Sequence, residues 1–382
     1  MIMSRHRWML GFGCYFVFLL PCYPPSAAAQ DEDRPIYKTK YRVINVHRHC
    51  DNPSEQTLKA EFEVMQRVGF SAMVNLLIDG GWSDRNLPGW LELQKKHSER
   101  LVVFGSINLG KSKSPTFFAD LVREMEVQKR LGSHGVKVWK NLGMYAKDAD
   151  GKLIKLDDRR LDAFWAKCGE LELPILLHVA DPKEYWYPLT YNSFHYGLRS
   201  EKDQHDKNPD MPSWEELIRQ RDAVLKKHPK TILIGAHMGS MTFELQKLAE
   251  TLDRYPNFHI DTSARLRVLG RLNPKAVRDF FVKYQDRILF GTDSSVLYGV
   301  RPDDGDGIKK WQDKTARFYS RHLEYFETDH INLVEPYGYA KDWLRLAGAK
   351  LPPEVLEKLY HANAERLIPA LRPKQAERKP EG

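Results

Sequence analysis

Cysteine is scarce in this sequence, and so are hydrophobic runs long enough to cross a bilayer. Two of the four cysteines lie in an apolar N-terminal stretch, which leaves only Cys50 and Cys168 in the rest of the chain. Because two cysteines can form at most one bridge, a disulfide-stapled scaffold is excluded. No later segment reaches the roughly 20 apolar residues that a transmembrane helix needs, so the sequence predicts no membrane span.

A strong excess of charge of one sign is also missing. The 59 basic residues exceed the 51 acidic ones by eight, and they are spread along the chain apart from a tail near its end. This spread is typical of a solvated surface and disfavours nucleic-acid binding. With 42% hydrophobic residues the chain can bury a large core. We expect a globular protein whose partner is a small-molecule substrate; whether it forms a homodimer stays open.

The first thirty residues have the pattern of an export signal. Arg5 and Arg7 precede the apolar stretch Met9–Leu20, and Ala27-Ala28-Ala29 supplies small residues for cleavage. This order predicts a signal peptide over residues 1–29 and an exported, periplasmic or secreted protein. The leader cysteine that could take a lipid follows a proline where a small residue is wanted, so lipoprotein anchoring is disfavoured.

Short β-branched runs alternate with amphipathic helical stretches along the remainder of the chain, which is typical of a parallel sheet covered by helices. The predicted strands are Tyr41–Val46, Ala72–Leu77, Leu101–Ser106, Gly135–Trp139, Pro174–His178, Thr231–Ala236, Phe258–Asp261 and Arg287–Phe290. The predicted intervening helices include Ser54–Val68, Pro115–Arg130, Asp158–Leu171, Ser213–Lys227 and Asn273–Tyr284, and Ser213 with Glu216 forms a capping box.

Eight strands, nearly all followed by a helix, predict an α/β fold of the (β/α)₈ TIM-barrel class. An open doubly wound sheet would usually carry a glycine-rich phosphate loop after its first strand, and here that strand ends in His-Arg-His. We expect an N-terminal linker over 30–40, the barrel over 41–368 and a charged tail over 369–382. The stretch Asp181–Met211 and the region after Leu297 are predicted to be loop insertions at the C-terminal face.

Polar side chains end four of the predicted strands. His47 and His49 lie two residues apart on the first strand and therefore share a face, about 7 Å apart along it. His178 ends the fifth strand, His237 the sixth, and Asp293 follows the eighth. A lone strand-end histidine is usually a satisfied polar group, but the joint pattern indicates a metal site. Imidazoles with one carboxylate suit one divalent ion, Zn²⁺ above all, and a second ion stays open.

The same residues carry a family resemblance that extends from Tyr41 to Leu367. The motifs are Asn45-Val46-His47-Arg48-His49, Gly135-Val136-Lys137, Ile234-Gly235-Ala236-His237-Met238-Gly239, Ile260-Asp261-Thr262-Ser263 and Leu289-Phe290-Gly291-Thr292-Asp293, followed by Val355–Leu359 and Asn363–Leu367. They resemble the amidohydrolase-related group of the amidohydrolase superfamily, in the branch with aminocarboxymuconate-semialdehyde decarboxylase-like enzymes.

The resemblance implies one metal on His47, His49, His178 and Asp293, with His237 as the acid–base group. Asp293 would then bind the metal and also accept a proton. The leading hypothesis is a metal-dependent hydrolase that uses a metal-activated water on a lactone, an amide or a related C–O or C–N bond. The alternative is a metal-dependent decarboxylase of a small unsaturated or aromatic acid. In that group the position of Arg48 usually holds a smaller residue.

Two positions on the fourth strand are candidates for binding substrate. Alternation in the fourth strand directs Val136 and Val138 to one face and Lys137 and Trp139 to the other, inward face. Lys137 would either be carbamylated and bridge a second ion or bind a substrate carboxylate, and we favour the second role.

The remaining candidates lie in the loops after the fifth, seventh and eighth strands, and those after the seventh and eighth strands are the weaker ones. They are Tyr185, Trp186, Tyr191 and His195 as a pocket lid, Arg265 beside it, and Tyr298 after the last acid. Simple loop packing is the competing interpretation for all of them.

The leader predicts that the mature protein begins at or near Gln30, because cleavage follows the small-residue triplet. Mass spectrometry of the protein recovered from the exported fraction should show the loss of the preceding residues. An intact Met1 on exported material would contradict the prediction, and a lipid on Cys22 would identify a membrane anchor instead.

Overall fold

The computed structural model describes most of the chain after the predicted leader. Its described residues are 34–50, 52–78, 81–190, 193, 204–296, 300–301, 303–336 and 345–373. The predicted signal peptide and the candidates Tyr191, His195 and Tyr298 lie outside these ranges. Within them, no helix combines the length and hydropathy that crossing a membrane would require.

One sheet of parallel strands forms the centre of the fold. Its strands are β1 Val43–His49, β2 Phe70–Leu76, β3 Leu101–Ser106, β4 Val136–Val138, β5 Ile175–Leu177, β6 Leu233–Gly235, β7 Phe258–Asp261, β8 Ile288–Leu289 and β9 Ser294–Ser295. Neighbouring strands follow chain order from β8 to β1, and β9 pairs with the free side of β1. The predicted strand positions therefore agree with the sheet.

The two edges of this sheet belong to one extended segment, because β8 and β9 are separated by only four residues. The Val46 amide donates to the Phe290 carbonyl at 2.9 Å, and the Asp293 amide donates to the His47 carbonyl at 2.9 Å. The Val296 amide continues the series by donating to the His49 carbonyl at 2.8 Å. These bonds close the sheet, which makes the fold a (β/α)₈ barrel as predicted.

A helix follows each strand of the barrel. These helices are α1 Glu55–Val68, α2 Gly81–Lys96, α3 Phe117–Leu131, α4 Asp162–Glu170, α5 Trp214–Lys227, α6 Leu245–Arg254, α7 Pro274–Lys283 and α8 Gly305–Glu327. One half of the predicted capping box is present, since Ser213 Oγ accepts from the Glu216 amide at 3.1 Å, whereas the Glu216 carboxylate pairs with Arg219. Helix α8, which we expected among the loop insertions, packs beside α1: Gln312 donates to the Ala60 carbonyl at 3.2 Å.

Shorter elements complete the chain. They are the helical segments Leu109–Lys111, Asn141–Met144, Arg159–Leu161, Lys183–Trp186, His205–Lys207, Ala236–Gly239, Leu266–Leu269, Pro353–Glu357, Lys358–Ala362, Asn363–Leu367 and Pro369–Leu371, and an antiparallel ribbon of β10 Leu333–Val334 with β11 Arg345–Leu346. The two cysteines after the leader are both buried and free.

Alternation along the strands separates two apolar layers. One set of side chains fills the barrel, including Val46, Val102 and Phe104, and the other packs under the helices, including Val103 and Val136. Ile368 and Leu371 from the end of the chain join the interior set and cover the floor of the barrel. The opposite, C-terminal ends of the strands are left to form the mouth.

Gly135 makes room for the aromatic ring that fills the interior next to it. A Cβ at Gly135 would lie 2.4 to 2.6 Å from three ring atoms of Phe104. We expect Gly135→Ala to lower the free energy of unfolding by about 1–3 kcal/mol through overpacking. The measurement is the urea midpoint of the purified protein.

Gly305→Ala is the matched control, because no heavy atom lies within 4 Å of a Cβ at that position. This control should leave the midpoint unchanged or raise it slightly. Equal midpoints for the two variants would show that the barrel interior has space beside Phe104.

Candidate functional site

β1 carries two histidines to the mouth of the barrel. The rings of His47 and His49 face the interior with their centroids 5.1 Å apart. The segment after β8 passes very close to them, since a Cβ at Gly291 would lie 2.9 Å from the Cβ of His47. A larger residue at Gly291 would push this segment, and Asp293 with it, away from the histidines.

Hydrogen bonds to the far side of each ring orient these histidines. His47 Nδ1 lies 2.7 Å from Asp261 Oδ2, and His49 Nδ1 lies 3.0 Å from the Leu76 carbonyl oxygen. Both partners are acceptors, so each Nδ1 carries the proton and donates it. Each Nε2 therefore presents a lone pair to the mouth, which is the arrangement of metal-binding histidines.

Asp261, at the end of β7, organises the inner side of the site. Burial alone would raise its pKa, but the neighbouring His47 and hydrogen bonds hold that pKa below its ordinary value, so the side chain is a carboxylate. Its Oδ1 accepts from the His237 amide at 2.8 Å and from Ser263 Oγ at 2.5 Å. The Asp261 carboxylate thus positions both the ring of His47 and the backbone of His237.

Asp293 presents its carboxylate to three imidazoles. Its Oδ1 lies 3.2 Å from His47 Nε2 and 3.3 Å from His49 Nε2, and its Oδ2 lies 3.9 Å from His237 Nε2. Burial would raise the pKa of Asp293, yet the imidazoles of His47 and His237 bring it well below its ordinary value. The residue has a left-handed backbone with φ of 60°, which is uncommon outside glycine.

His178 and His237 complete the ring of polar groups. Their ring centroids are 4.4 Å apart, and burial keeps both pKa values low, that of His237 at about 3. His237 Nδ1 lies 3.0 Å from the Ser263 carbonyl oxygen, so its Nε2 also carries a lone pair. Among the described residues, the buried Nε2 of His178 has no hydrogen-bond partner. Leaving a buried nitrogen unsatisfied costs about 1–3 kcal/mol, which a bound cation would offset.

These donors fit a divalent metal ion. Ligand atoms of His47, His237 and Asp293 all lie within 4.8 Å of one another, close enough to surround one ion. The compact group includes His237, which the sequence assigned to proton transfer, whereas the predicted ligands His49 and His178 flank it. Neutral imidazoles with one carboxylate are the donor set that Zn²⁺ and similar ions prefer. The assignment of individual ligands stays a prediction.

Lys137 reaches the same mouth from β4. Its side chain is buried, and its Nζ lies 3.3 Å from His47 Nε2. Burial lowers the pKa of Lys137 to about 8, so the ammonium form predominates at neutral pH. Trp139, two residues further along the chain, is half-buried at the edge of the mouth. Alternation in the sequence predicted the inward direction of Lys137.

A second cation lies near His178 and His237. Arg265 follows β7, is almost fully buried and donates from Nη1 to the Ala264 carbonyl at 2.8 Å. Burial is the main cause of the low pKa values of His178 and His237, and the positive charge of Arg265 lowers both further, so the guanidinium is close to them. Lys137 and Arg265 therefore give the mouth two buried positive charges.

The predicted lid residues pack mainly against the insertion that follows β5. Trp186 donates from Nε1 to the Pro212 carbonyl at 2.8 Å, and its ring lies 4.6 Å from that of His205. Tyr185 lies 5.9 Å from the same imidazole. His205 Nε2 lies 2.9 Å from Asp181 Oδ2, which links the insertion to the end of β5. The structure thus places Tyr185 and Trp186 in the wall around His205.

Sequence reasoning missed the roles of Asp261, Ser263 and His205. Asp261 ends a predicted strand as the histidines do, so the same strand-end argument could have selected it. Its carboxylate acts behind His47, where only a tertiary contact reveals it. His205 lies in a stretch with no recognisable pattern, and no local signal points to its contact with Asp181.

Comparisons with known proteins identify the family to which the geometry belongs. A sequence profile described as amidohydrolase matches residues 103–370, a span that begins after β1 and its two histidines. Among curated proteins, none matches the chain.

Solved structures share the fold at low sequence identity. An uncharacterised TIM-barrel protein from Bordetella bronchiseptica is 17% identical, covers 86% of this chain and 99% of its own, and has a TM-score of 0.50. The 5-carboxyvanillate decarboxylase of Novosphingobium aromaticivorans, complexed with manganese and a nitrobenzoic acid, is 13% identical, with coverages of 87% and 98% and a TM-score of 0.50. A 2,6-dihydroxybenzoate decarboxylase from Rhizobium is 18% identical, with coverages of 86% and 98% and a TM-score of 0.47.

These findings correct the predicted reaction. The hydrolase hypothesis, our main prediction from the sequence, is wrong, and the decarboxylase alternative is the better supported one. One of the solved structures of similar fold is a 5-carboxyvanillate decarboxylase.

The contact between Asp261 and His47 predicts a change in metal affinity. In Asp261→Asn an amide nitrogen would face His47 Nδ1, which would favour the tautomer with its proton on Nε2 and remove that lone pair. We expect the affinity for Mn²⁺ or Zn²⁺, measured by chelator competition, to fall about 10–100-fold.

Asp253→Asn provides the control, because it makes the same change at an exposed aspartate paired with Lys283. The control should bind metal like the unchanged protein. If Asp261→Asn also retained full affinity, His47 would not depend on the carboxylate behind it.

Proposed function

Since this chain belongs to the amidohydrolase family, we propose that it is a metal-dependent carboxy-lyase acting on a small unsaturated or aromatic acid. The observation that carries the proposal is the buried Lys137 ammonium, 3.3 Å from His47 Nε2 and beside the convergent imidazoles and Asp293. A buried cation at a metal site is suited to an anionic substrate, because the substrate's charge compensates it.

We propose that one divalent ion binds to His47, His49, His178 and Asp293, with Zn²⁺ as the first candidate. The unpartnered Nε2 of His178 and the lone pairs fixed on the other two rings support this set. When bound, the ion would supply a Lewis acid that stabilises negative charge developing on the substrate. Lys137 would then hold the substrate carboxylate instead of bridging a second ion.

The protein's own residues would position the substrate and move the proton. Lys137 and Arg265 bind the carboxylate, and Trp139, which is half-buried, borders the substrate's apolar part. The bond between the carboxylate carbon and the adjacent substrate carbon breaks, CO₂ leaves, and the electron pair stays on that adjacent carbon. A proton then forms the new C–H bond, so the overall change is R–COO⁻ plus H⁺ to R–H plus CO₂.

His237 is the proposed carrier of this proton. Its Nδ1–H is held by the Ser263 carbonyl, so only Nε2, on the side of the mouth, can gain and lose a proton. Burial lowers the pKa of His237 to about 3, so the ring is neutral at neutral pH and its Nε2 can accept a proton and pass it on to the substrate. Asp293, whose Oδ2 lies 3.9 Å from this nitrogen, is the nearest anion to exchange the proton with it.

The proposal is tested by measuring CO₂ release from hydroxybenzoates and methoxy-hydroxybenzoates with protein loaded with Zn²⁺ or Mn²⁺. We expect His237→Asn to lower the rate about 10²–10⁴-fold, the usual contribution of a general acid–base group, while metal content stays the same.

His259→Asn is the matched control for this loss of activity. His259 is also buried, with a pKa lowered to about 3 by burial, but it lies two residues before Asp261 on β7, further from the mouth. This variant should keep the rate per folded molecule. Absence of CO₂ release from every acid tested, together with hydrolysis of a lactone or an amide, would overturn the proposed function.

A further inference from the structure

Arg48 is an unusual residue to find between two candidate metal ligands. Its side chain points away from the mouth into the layer beneath α1, where it is completely buried. It donates from Nε to Glu61 Oε1 at 3.1 Å and from Nη2 to Glu61 Oε2 at 2.7 Å. Since a buried ion pair stabilises a fold little more than apolar residues of the same volume would, stability alone does not account for it.

Glu61 also accepts a hydrogen bond from α8, which lies far from it in the sequence. The hydroxyl of Tyr319, on α8, donates to Glu61 Oε1 at 2.6 Å. Burial raises the pKa of Tyr319 well above its usual value, so this hydroxyl remains a donor. The guanidinium of Arg48 lies 5.5 Å from the centre of the tyrosine ring. Arg48, Glu61 and Tyr319 thus form one buried cluster between β1, α1 and α8.

The cluster continues to the residues on both sides of Asp293. Ser294 Oγ donates to the Tyr319 oxygen at 3.5 Å and lies 3.1 Å from Thr292 Oγ1. Thr292 Oγ1 accepts from Asn45 Nδ2 at 2.8 Å. Asn45, Thr292, Ser294 and Tyr319 therefore form a chain in which each group can donate to the next, ending on the Glu61 carboxylate. The negative charge of Glu61 aligns these bonds in one direction.

These hydrogen bonds surround the joint between β1 and the segment after β8, where the barrel closes. Asn45 Oδ1 accepts from the amides of His47 and Thr292 at 3.3 and 3.2 Å, so one amide group connects β1 to the segment after β8. Arg48 and Ser294 are register partners of β1 and β9. Asp293 stands inside this joint with its left-handed backbone, a conformation that persists only where the surroundings enforce it.

We propose that the hydrogen-bonded cluster of Asn45, Thr292, Ser294, Tyr319, Glu61 and Arg48 holds Asp293 in register with His47 and His49, and that Tyr319 is a positioning residue for the metal ion. The proposal rests on the metal site of the proposed function, and it deepens that function by adding a residue from α8. Tyr319 would act entirely through Ser294 and Glu61, without touching metal or substrate.

Tyr319→Phe tests this role, because it removes only the hydroxyl and keeps the ring packed 4.6 Å from that of Phe70. We expect the dissociation constant for Mn²⁺, measured by chelator competition, to rise about 10-fold or more, as for other partners of metal ligands. We also expect the visible absorption spectrum of the Co²⁺-loaded protein to change, because the position of the Asp293 carboxylate changes.

Tyr360→Phe is the matched control. Tyr360 is equally buried, and its hydroxyl donates to Glu327 at 3.1 Å, so this variant loses the same kind of bond away from the joint. The control should match the unchanged protein in Mn²⁺ affinity and Co²⁺ spectrum. Equal weakening by both variants would mean that any loss of a buried hydroxyl acts through general stability, which would overturn the proposal.

Ser294→Ala breaks the same chain next to Asp293 and provides a second test. If Ser294 and Tyr319 act through one cluster, the double variant Ser294→Ala/Tyr319→Phe should have nearly the same Mn²⁺ affinity as whichever single variant binds Mn²⁺ less tightly. Independent, multiplied losses would contradict a shared cluster, and so would unchanged affinity in Tyr319→Phe. If the unchanged protein binds no divalent ion, the metal site of the proposed function fails instead, so the two failures are distinguishable.

Discussion

The closure of the barrel between β1 and the segment after β8 is the constraint on which the site depends. The Asp293 amide donates to the His47 carbonyl at 2.9 Å, and the same two residues face each other through their side chains at 3.2 Å. Closing the sheet therefore brings the first and last candidate ligands together, although one lies on the first strand and the other follows the eighth. The glycine at 291 permits this approach, because a Cβ there would lie 2.9 Å from that of His47.

The buried carboxylates at the mouth are tolerated because each faces several hydrogen-bonding or cationic groups. Asp261 accepts from His47, Ser263 and the His237 amide, and Asp293 faces three imidazoles. Lys137 and Arg265 bring positive charge to the same small volume, which an anionic substrate would compensate. Such a concentration of shifted pKa values is expected where proton transfer takes place and would be costly in an ordinary core.

Backbone conformation adds a second sign of function at the same strand ends. His237, Met238, Ala264 and Asp293 all have φ between 52° and 60° at the ends of β6, β7 and the segment after β8. Non-glycine residues persist in this region where surrounding contacts enforce it, and they cluster at active sites. The Asp261 carboxylate supplies such a contact at the His237 amide, and the β1 carbonyl of His47 supplies it at Asp293.

The sequence by itself determined the barrel and most of the groups at its mouth, because both follow from local patterns. Alternation located the strands and the inward direction of Lys137, and strand-end polar residues selected His47, His49, His178, His237 and Asp293. Only the tertiary structure decided which partners stand behind them. Glu61 and Tyr319 are 258 positions apart in the sequence, and Asp261 and His47 are 214 positions apart. No local sequence pattern indicates a contact over such separations. The main prediction for the reaction was wrong because these strand-end donors are compatible with both hydrolysis and decarboxylation, so the sequence pattern could not separate the two.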